Sequence, residues 1–124
     1  MLRWFGRIVL RKGAMRLYRA VGKYPSKDSE YLTPAEQGRA LPEDATEEQR
    51  RSFEALSAWS TVDGARKAAR RRRSARCIAA YDIPDNCGVT YEESLESGHY
   101  DIRGDYEELK TYLAPETFDL EERR

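Results

Sequence analysis

LSAWSTVDGARKAARRRRSARCIAAYD, residues 56–82, decides how the chain is read. Residues from Leu56 make a short strand that ends in Ser60-Thr61. Either hydroxyl can then cap a helix, with Asp63 in the first turn at the positive end of the dipole. Val62, Ala65, Ala69 and Arg72 or Arg73 recur at helical spacing, which gives a narrow stripe of small residues able to lie close against a sheet. Arg66, Lys67, Arg70 and the rest of the arginine run fall on the outer face, so the basic helix is expected over residues 62–76. Cys77 to Ile83 reads as a second strand, and Pro84-Asp85-Asn86 as its turn. The unit is strand, helix, strand, and the flanking segments must pack against it.

Downstream, Val89-Thr90-Tyr91 is expected as a short strand partner. Gly98 to Gly104 is expected as a strand bounded by glycines. Asp105 and Glu108 form a capping pair for a helix with Tyr106, Leu109 and Leu113 inward, ended by Pro115. Thr117 to Leu120 can add an edge strand. Upstream, Met15 to Val21 alternates, with Met15, Leu17 and Arg19 on one side and Arg16, Tyr18 and Ala20 on the other. A long loop follows, anchored by Tyr24, Tyr31, Leu32 and Leu41, with a single helical turn between Thr33-Pro34 and Gly38. Thr46 and Gln49 make a capping box for a helix whose inner stripe is Phe53, Leu56 and Gln49. The fold class is therefore α+β, a small mixed or antiparallel sheet with three main helices, in one domain over residues 15–120. Residues 1–14 form a basic extension, or an amphipathic segment suited to an anionic membrane surface. Residues 121–124 are a frayed tail.

The chain carries 22 basic and 22 acidic residues, yet the signs are segregated. Residues 1–27 hold no acid, 28–60 are mainly acidic, 61–76 mainly basic and 77–124 mainly acidic. Either the blocks neutralise one another in the fold, or one basic face stays open to an anionic partner. Cys77 and Cys87 match no metal spacing and read as free thiols. Arginines interrupt every apolar run near the start, no run approaches a membrane span, and a cytoplasmic location is expected. There is no metal cluster, phosphate-binding glycine loop or nucleophile motif with local support.

Four places can carry chemistry. The run Arg70, Arg71, Arg72 and Arg73 can neutralise phosphates of a nucleic acid or dock on an acidic protein; a solvated or salt-bridged face is the alternative. His99, between Gly98 and Tyr100, suits a general acid or base, or an ordinary boundary position. Ser57, Ser60 and Thr61 around Trp59 stand at a helix N-terminus able to receive a phosphate, or serve only as caps. Arg19 is expected outward and solvated by default; if inward, it needs an anionic partner, either Asp82 or a ligand phosphate.

Leu17-Tyr18-Arg19, Leu56-Ser-Ala-Trp-Ser-Thr61, Ile78-Ala-Ala-Tyr-Asp-Ile-Pro84 and the closing Gly98-His99-Tyr100 together resemble small bacterial proteins with an ADP-ribosyltransferase-like core. RES-domain toxins, which consume NAD, share that fold. The resemblance implies a split sheet and an NAD or nucleotide site. It implies that Arg19 holds the NAD diphosphate or ribose, that Ser57 supports the nicotinamide side, and that His99 or Tyr100 supplies the catalytic polar group. The chain departs from RES proteins in lacking a Gly-Arg-Trp-type signature between Tyr24 and Pro42. Glu92, Glu93 and Glu107 are the candidates for a catalytic acid.

Overall fold

The computed structural model describes residues 14–121, so the extension before Ala14 and the tail beyond Glu121 lie outside the described residues. Six strands form one sheet in the order β4-β5-β2-β1-β3-β6. In chain order these are β1 (Met15–Val21), β2 (Leu56–Trp59), β3 (Cys77–Ile83), β4 (Val89–Glu93), β5 (His99–Gly104) and β6 (Leu113–Phe118). Every neighbouring pair is antiparallel. Three helices accompany them: α1 (Glu47–Phe53), α2 (Val62–Ala69) and α3 (Tyr106–Lys110). The fold is α+β, and its sheet is purely antiparallel.

β1 and β3 pair along their full length, from Met15 opposite Ile83 to Val21 opposite Cys77. β1 and β2 meet at a single pair, Tyr18 opposite Trp59, and then diverge. This narrow joint divides the sheet into a β6-β3-β1 half and a β2-β5-β4 half. The two halves share one core because strand periodicity puts alternate side chains on the same face. Leu17, Val21, Leu56, Ala58, Tyr81, Ile83 and Ile102 face one layer, which is closed by Tyr31 and Leu109. Tyr18, Ala20, Trp59, Ile78 and Phe118 face the other, against Ala65 and Ala69 of α2. The small alanines bring α2 close to the sheet, as their spacing requires.

Local chemistry fixes the element ends. The Thr61 hydroxyl accepts from the Gly64 N–H and caps α2. Thr46 and Gln49 form a reciprocal capping box on α1, which holds Gln49 at the surface rather than in the expected inner stripe. Asp105 caps α3 through the N–H groups of Glu107 and Glu108. Glu108 does not complete the box; its carboxylate accepts from the Gly88 N–H and from the Tyr112 hydroxyl instead.

Four expectations are corrected. α2 ends at Ala69, so the arginine run is not a helix face: Arg71 and Arg72 turn back through i→i−3 hydrogen bonds to Ala68 and Ala69, and the chain heads for β3. β4 pairs with β5 at the far edge of the sheet and has no contact ladder with β3. α3 ends at Lys110, before Pro115, and Leu113 opens β6. Pro115 lies within β6, an edge strand, where a missing N–H is tolerated.

The long loop after β1 is tied down by its tyrosines. The Tyr31 and Tyr81 hydroxyls lie 3.0 Å apart, and the Tyr24 hydroxyl donates to the Ala114 carbonyl at 2.7 Å. Burial, then the Tyr81 contact, pushes the Tyr31 hydroxyl pKa well above its ordinary value, so it stays neutral and available as a donor. Leu32 is not an anchor; it is 41% exposed. A turn of 3-10 helix over Asp28–Tyr31 and the Thr33–Gly38 turn carry this loop past the end of β1. Thr33 and Glu36 cap that turn reciprocally, and Gly38 closes it with φ at +79°. The consequence for function is positional. The loop stands opposite the Arg71–Ser74 turn, across the place where β1 and β2 diverge.

Candidate functional site

Divergence of two strands strands backbone carbonyls, and buried carbonyls require donors. Arg19 supplies them. Its Nε donates to the Ser57 carbonyl at 3.0 Å, and its Nη1 donates to the Glu30 carbonyl at 2.9 Å. The residue is 8% exposed. Arg19 does not pair with Asp82. Asp82 stands opposite Arg16 in the β1–β3 ladder and takes both its Nε and Nη2 at 2.7 Å. Arg19 points to the other face, so period-2 alternation separates it from that acid. Among the described residues, Arg19 has no carboxylate partner and its Nη2 has no acceptor.

That guanidinium lines a cleft of about 690 Å³. The cleft runs between the loop after β1 and the turn that leads to β3, and its lining is mixed in character. Leu32, Pro34 and the nearly buried Ala55 and Leu56 are its apolar members. Arg19, Arg39, Arg71, Arg72 and Arg73 are its basic members, with Glu30 as the single acid in the lining. Glu30 is 5% exposed and fully engaged. Its Oε1 accepts from Arg72 Nη2 at 2.7 Å and its Oε2 accepts from the Gly22 N–H at 2.8 Å. Arg72 also donates to the Ala20 carbonyl at 2.6 Å and to Ser74 Oγ at 3.1 Å. Arg72 thus clamps the turn to β1, which orders the wall carrying Arg71 and Arg73. Arg70, the C-terminal cap of α2, is exposed and outside the cleft lining.

Ser57 links this cleft to His99. The Ser57 carbonyl holds Arg19, while its hydroxyl lies 3.1 Å from His99 Nε2. His99 Nδ1 lies 2.8 Å from Ser94 Oγ, and the ring meets Trp59 edge-on with centroids 4.8 Å apart. A hydroxyl against an imidazole whose second nitrogen is also held is an arrangement able to share a proton. Which ring nitrogen carries the hydrogen depends on the tautomer. Arg19, Ser57 and His99 therefore form one chain of contacts, although only Arg19 and Ser57 line the cleft.

The other sequence candidates fall elsewhere. Tyr100 points to the opposite face from His99 and packs on Tyr91, with centroids 6.2 Å apart. Adjacent strand residues cannot serve the same face, so His99 and Tyr100 are not interchangeable here. Thr61 caps α2, the Ser60 N–H donates to the Gly98 carbonyl, and Trp59 fills the layer under α2; none of the three lines the cleft. Glu92 pairs with Arg51 and Arg103 at the far edge. Glu107 binds Lys110, and Glu93 accepts from the Gly98 N–H.

Several contributors escaped the sequence reading. Glu30 and Arg39 gave no local signal, since each sits in a polar loop. Asp101 was also missed: it is buried on the Ser57 side of β5, its Oδ2 accepts from Ser52 Oγ at 3.0 Å, and its Oδ1 has no partner. No group of metal-ligating side chains is present among the described residues. Cys77 and Cys87 are free, and burial raises the Cys77 thiol pKa. No helix among the described residues is long and apolar enough to cross a membrane.

Comparison with protein-family models, with curated proteins and with solved structures found no match to the chain.

Proposed function

We propose that the cleft binds a nucleotide, NAD or a related phosphorylated ligand, with Arg19 as the phosphate anchor. The observation that carries this reading is a nearly buried guanidinium, fixed by two carbonyls, with an unused Nη2 and no acid to balance its charge. Charged groups are rarely left buried without a counterion, and an anionic ligand meets that need. The apolar surface of Leu32 and Pro34 suits a base or another flat ring, and the volume falls in the usual range of small-molecule sites.

The electrostatics favour binding over cleavage of the glycosidic bond. An oxocarbenium-like ribose develops positive charge, which arginines oppose, and the one acid in the lining is committed to Arg72 and Gly22. ADP-ribosyl transfer or NAD hydrolysis would need His99 or a carboxylate brought to the ligand. We therefore hold NAD consumption as the secondary part of the proposal. The alternative partner, a nucleic acid or an acidic protein docked on Arg70–Arg73, is less well supported. Arg72 is already committed to Glu30, and the cleft lining contains no aromatic side chain on which bases could stack.

Calorimetry of the full chain with NAD and with adenine nucleotides tests the binding, beside an assay of NAD loss. Saturable binding that weakens with salt supports the proposal. Absence of heat at millimolar ligand contradicts it.

A further inference from the structure

The charges in the cleft are unevenly balanced, and the imbalance bears on the ligand's phosphate content. Outside the cleft several arginines find acids: Arg16 pairs with Asp82 and Glu116, Arg103 with Glu92, and Arg66 of α2 with Asp63, while Arg50, Arg70 and Arg76 are scattered and have none among the described residues. The chain holds as many acids as bases, so counterions were available. In the cleft only Arg72 has one. Arg19, Arg39, Arg71 and Arg73 have no carboxylate partner among the described residues, and all four line the same space.

We infer that this cleft reads a chain of phosphates, and that affinity is set by phosphate number more than by the base. The inference rests on the nucleotide reading above and narrows it. A terminal phosphate supplies about two negative charges at neutral pH, and each bridging phosphate adds about one more. A nucleoside monophosphate or NAD leaves two of the four free guanidiniums unbalanced. A nucleoside triphosphate balances all four. Guanidinium geometry suits the task, because each presents paired N–H donors to phosphate oxygens. Arg19 comes from β1, Arg39 from the loop after β1, and Arg71 and Arg73 from the turn before β3, so three separate segments bring these charges to one space.

Calorimetric titration of the full chain with AMP, ADP, ATP, NAD and inorganic tripolyphosphate, at two salt concentrations, tests this. The expected order is ATP, then ADP, then AMP and NAD together, with about fivefold in affinity for each added charge. Tripolyphosphate should keep most of the ATP affinity. Arg71→Ala and Arg73→Ala, both at exposed positions, should each cut the advantage of ATP over AMP about fivefold while the far-UV spectrum and melting temperature stay unchanged. Equal affinity for AMP, ADP and ATP would overturn the inference but leave the nucleotide reading standing. Failure of every nucleotide and of tripolyphosphate to bind would overturn both. A single-stranded oligonucleotide binding more tightly than ATP, with no dependence on phosphate number among the mononucleotides, would overturn the inference in favour of a polymer.

Discussion

Arg19 of β1 reaches across the gap to β2 and donates its Nε to the Ser57 carbonyl, a side chain completing a strand junction that the backbone makes at only one other point. Stability and ligand recognition therefore meet in one guanidinium. Its Nε and Nη1 hold the two halves of the sheet and the loop together, while the residue also lines the cleft and its Nη2 has no acceptor among the described residues.

Arg19→Ala leaves the Ser57 and Glu30 carbonyls without their donor. Each unsatisfied buried acceptor costs on the order of 1–3 kcal/mol, so a loss of about 2–4 kcal/mol is expected in urea unfolding. Arg19→Lys restores the charge but not the fork, and should recover less than half of that stability. A variant as stable as wild type would show that the junction does not depend on Arg19.

Glu30→Gln separates stability from affinity. Loss of the Arg72 ion pair at a nearly buried carboxylate should cost about 2 kcal/mol, less than a fully buried pair because Arg72 is partly solvated. The cleft meanwhile gains one unbalanced positive charge. A folded Glu30→Gln protein is expected to melt earlier yet bind nucleotide more tightly, a pairing that thermal melts and calorimetry on one sample can check.

His99→Ala should leave nucleotide affinity within twofold of wild type, because His99 touches the cleft only through Ser57. Any NAD loss catalysed by the wild type should disappear in the same variant. Weakened binding by His99→Ala would place the ligand over Trp59 rather than beside Arg19.

The α3 junction predicts a pH response. The Tyr112 hydroxyl first, and then the Gly88 N–H, hold the Glu108 carboxyl below the ordinary carboxylate range. A depressed acid contributes stability above its unfolded value and loses it as pH falls through the folded value. Tyr112 is raised mainly by the same contact, so its contribution is present below the ordinary tyrosine range and is lost as pH climbs through the raised value. Thermal melts of wild type and Glu108→Gln should therefore differ most near neutrality and converge in acid. Parallel curves at every pH would remove Glu108 from the account.

The elements that were legible are those whose signals are local. β3 was readable from Cys77 to Ile83 because the largely apolar run Cys77–Tyr81, extended by Asp82 and Ile83, lies between a charged stretch and Pro84. The Thr61 cap and the Thr46-Gln49 box declared their helices within a few residues. The arginine run misled because helical spacing says nothing of what waits beyond: Glu30, 42 residues away, ties the partly solvated Arg72 into the lining of a cleft. Arg19 was expected outward and solvated by default, with an inward position as the alternative, so neither its burial nor its partners could be read locally. Asp82 lies on the other face of the ladder, and the Ser57 carbonyl becomes free only because β1 and β2 diverge. His99 and Tyr100 looked equivalent in a glycine-bounded segment, and strand alternation gave them opposite faces.

The most direct test of the central claim is the Arg19 Nε–H resonance, which its hydrogen bond to Ser57 should protect from exchange, followed by NMR during titration with ATP. The account predicts a saturable shift at Arg19 Nε–H and at the amides of Ser57, Arg71 and Ser74, with little change at Tyr91 or Tyr100. Shifts confined to the β4–β5 edge, or no shift at millimolar ATP, would contradict it.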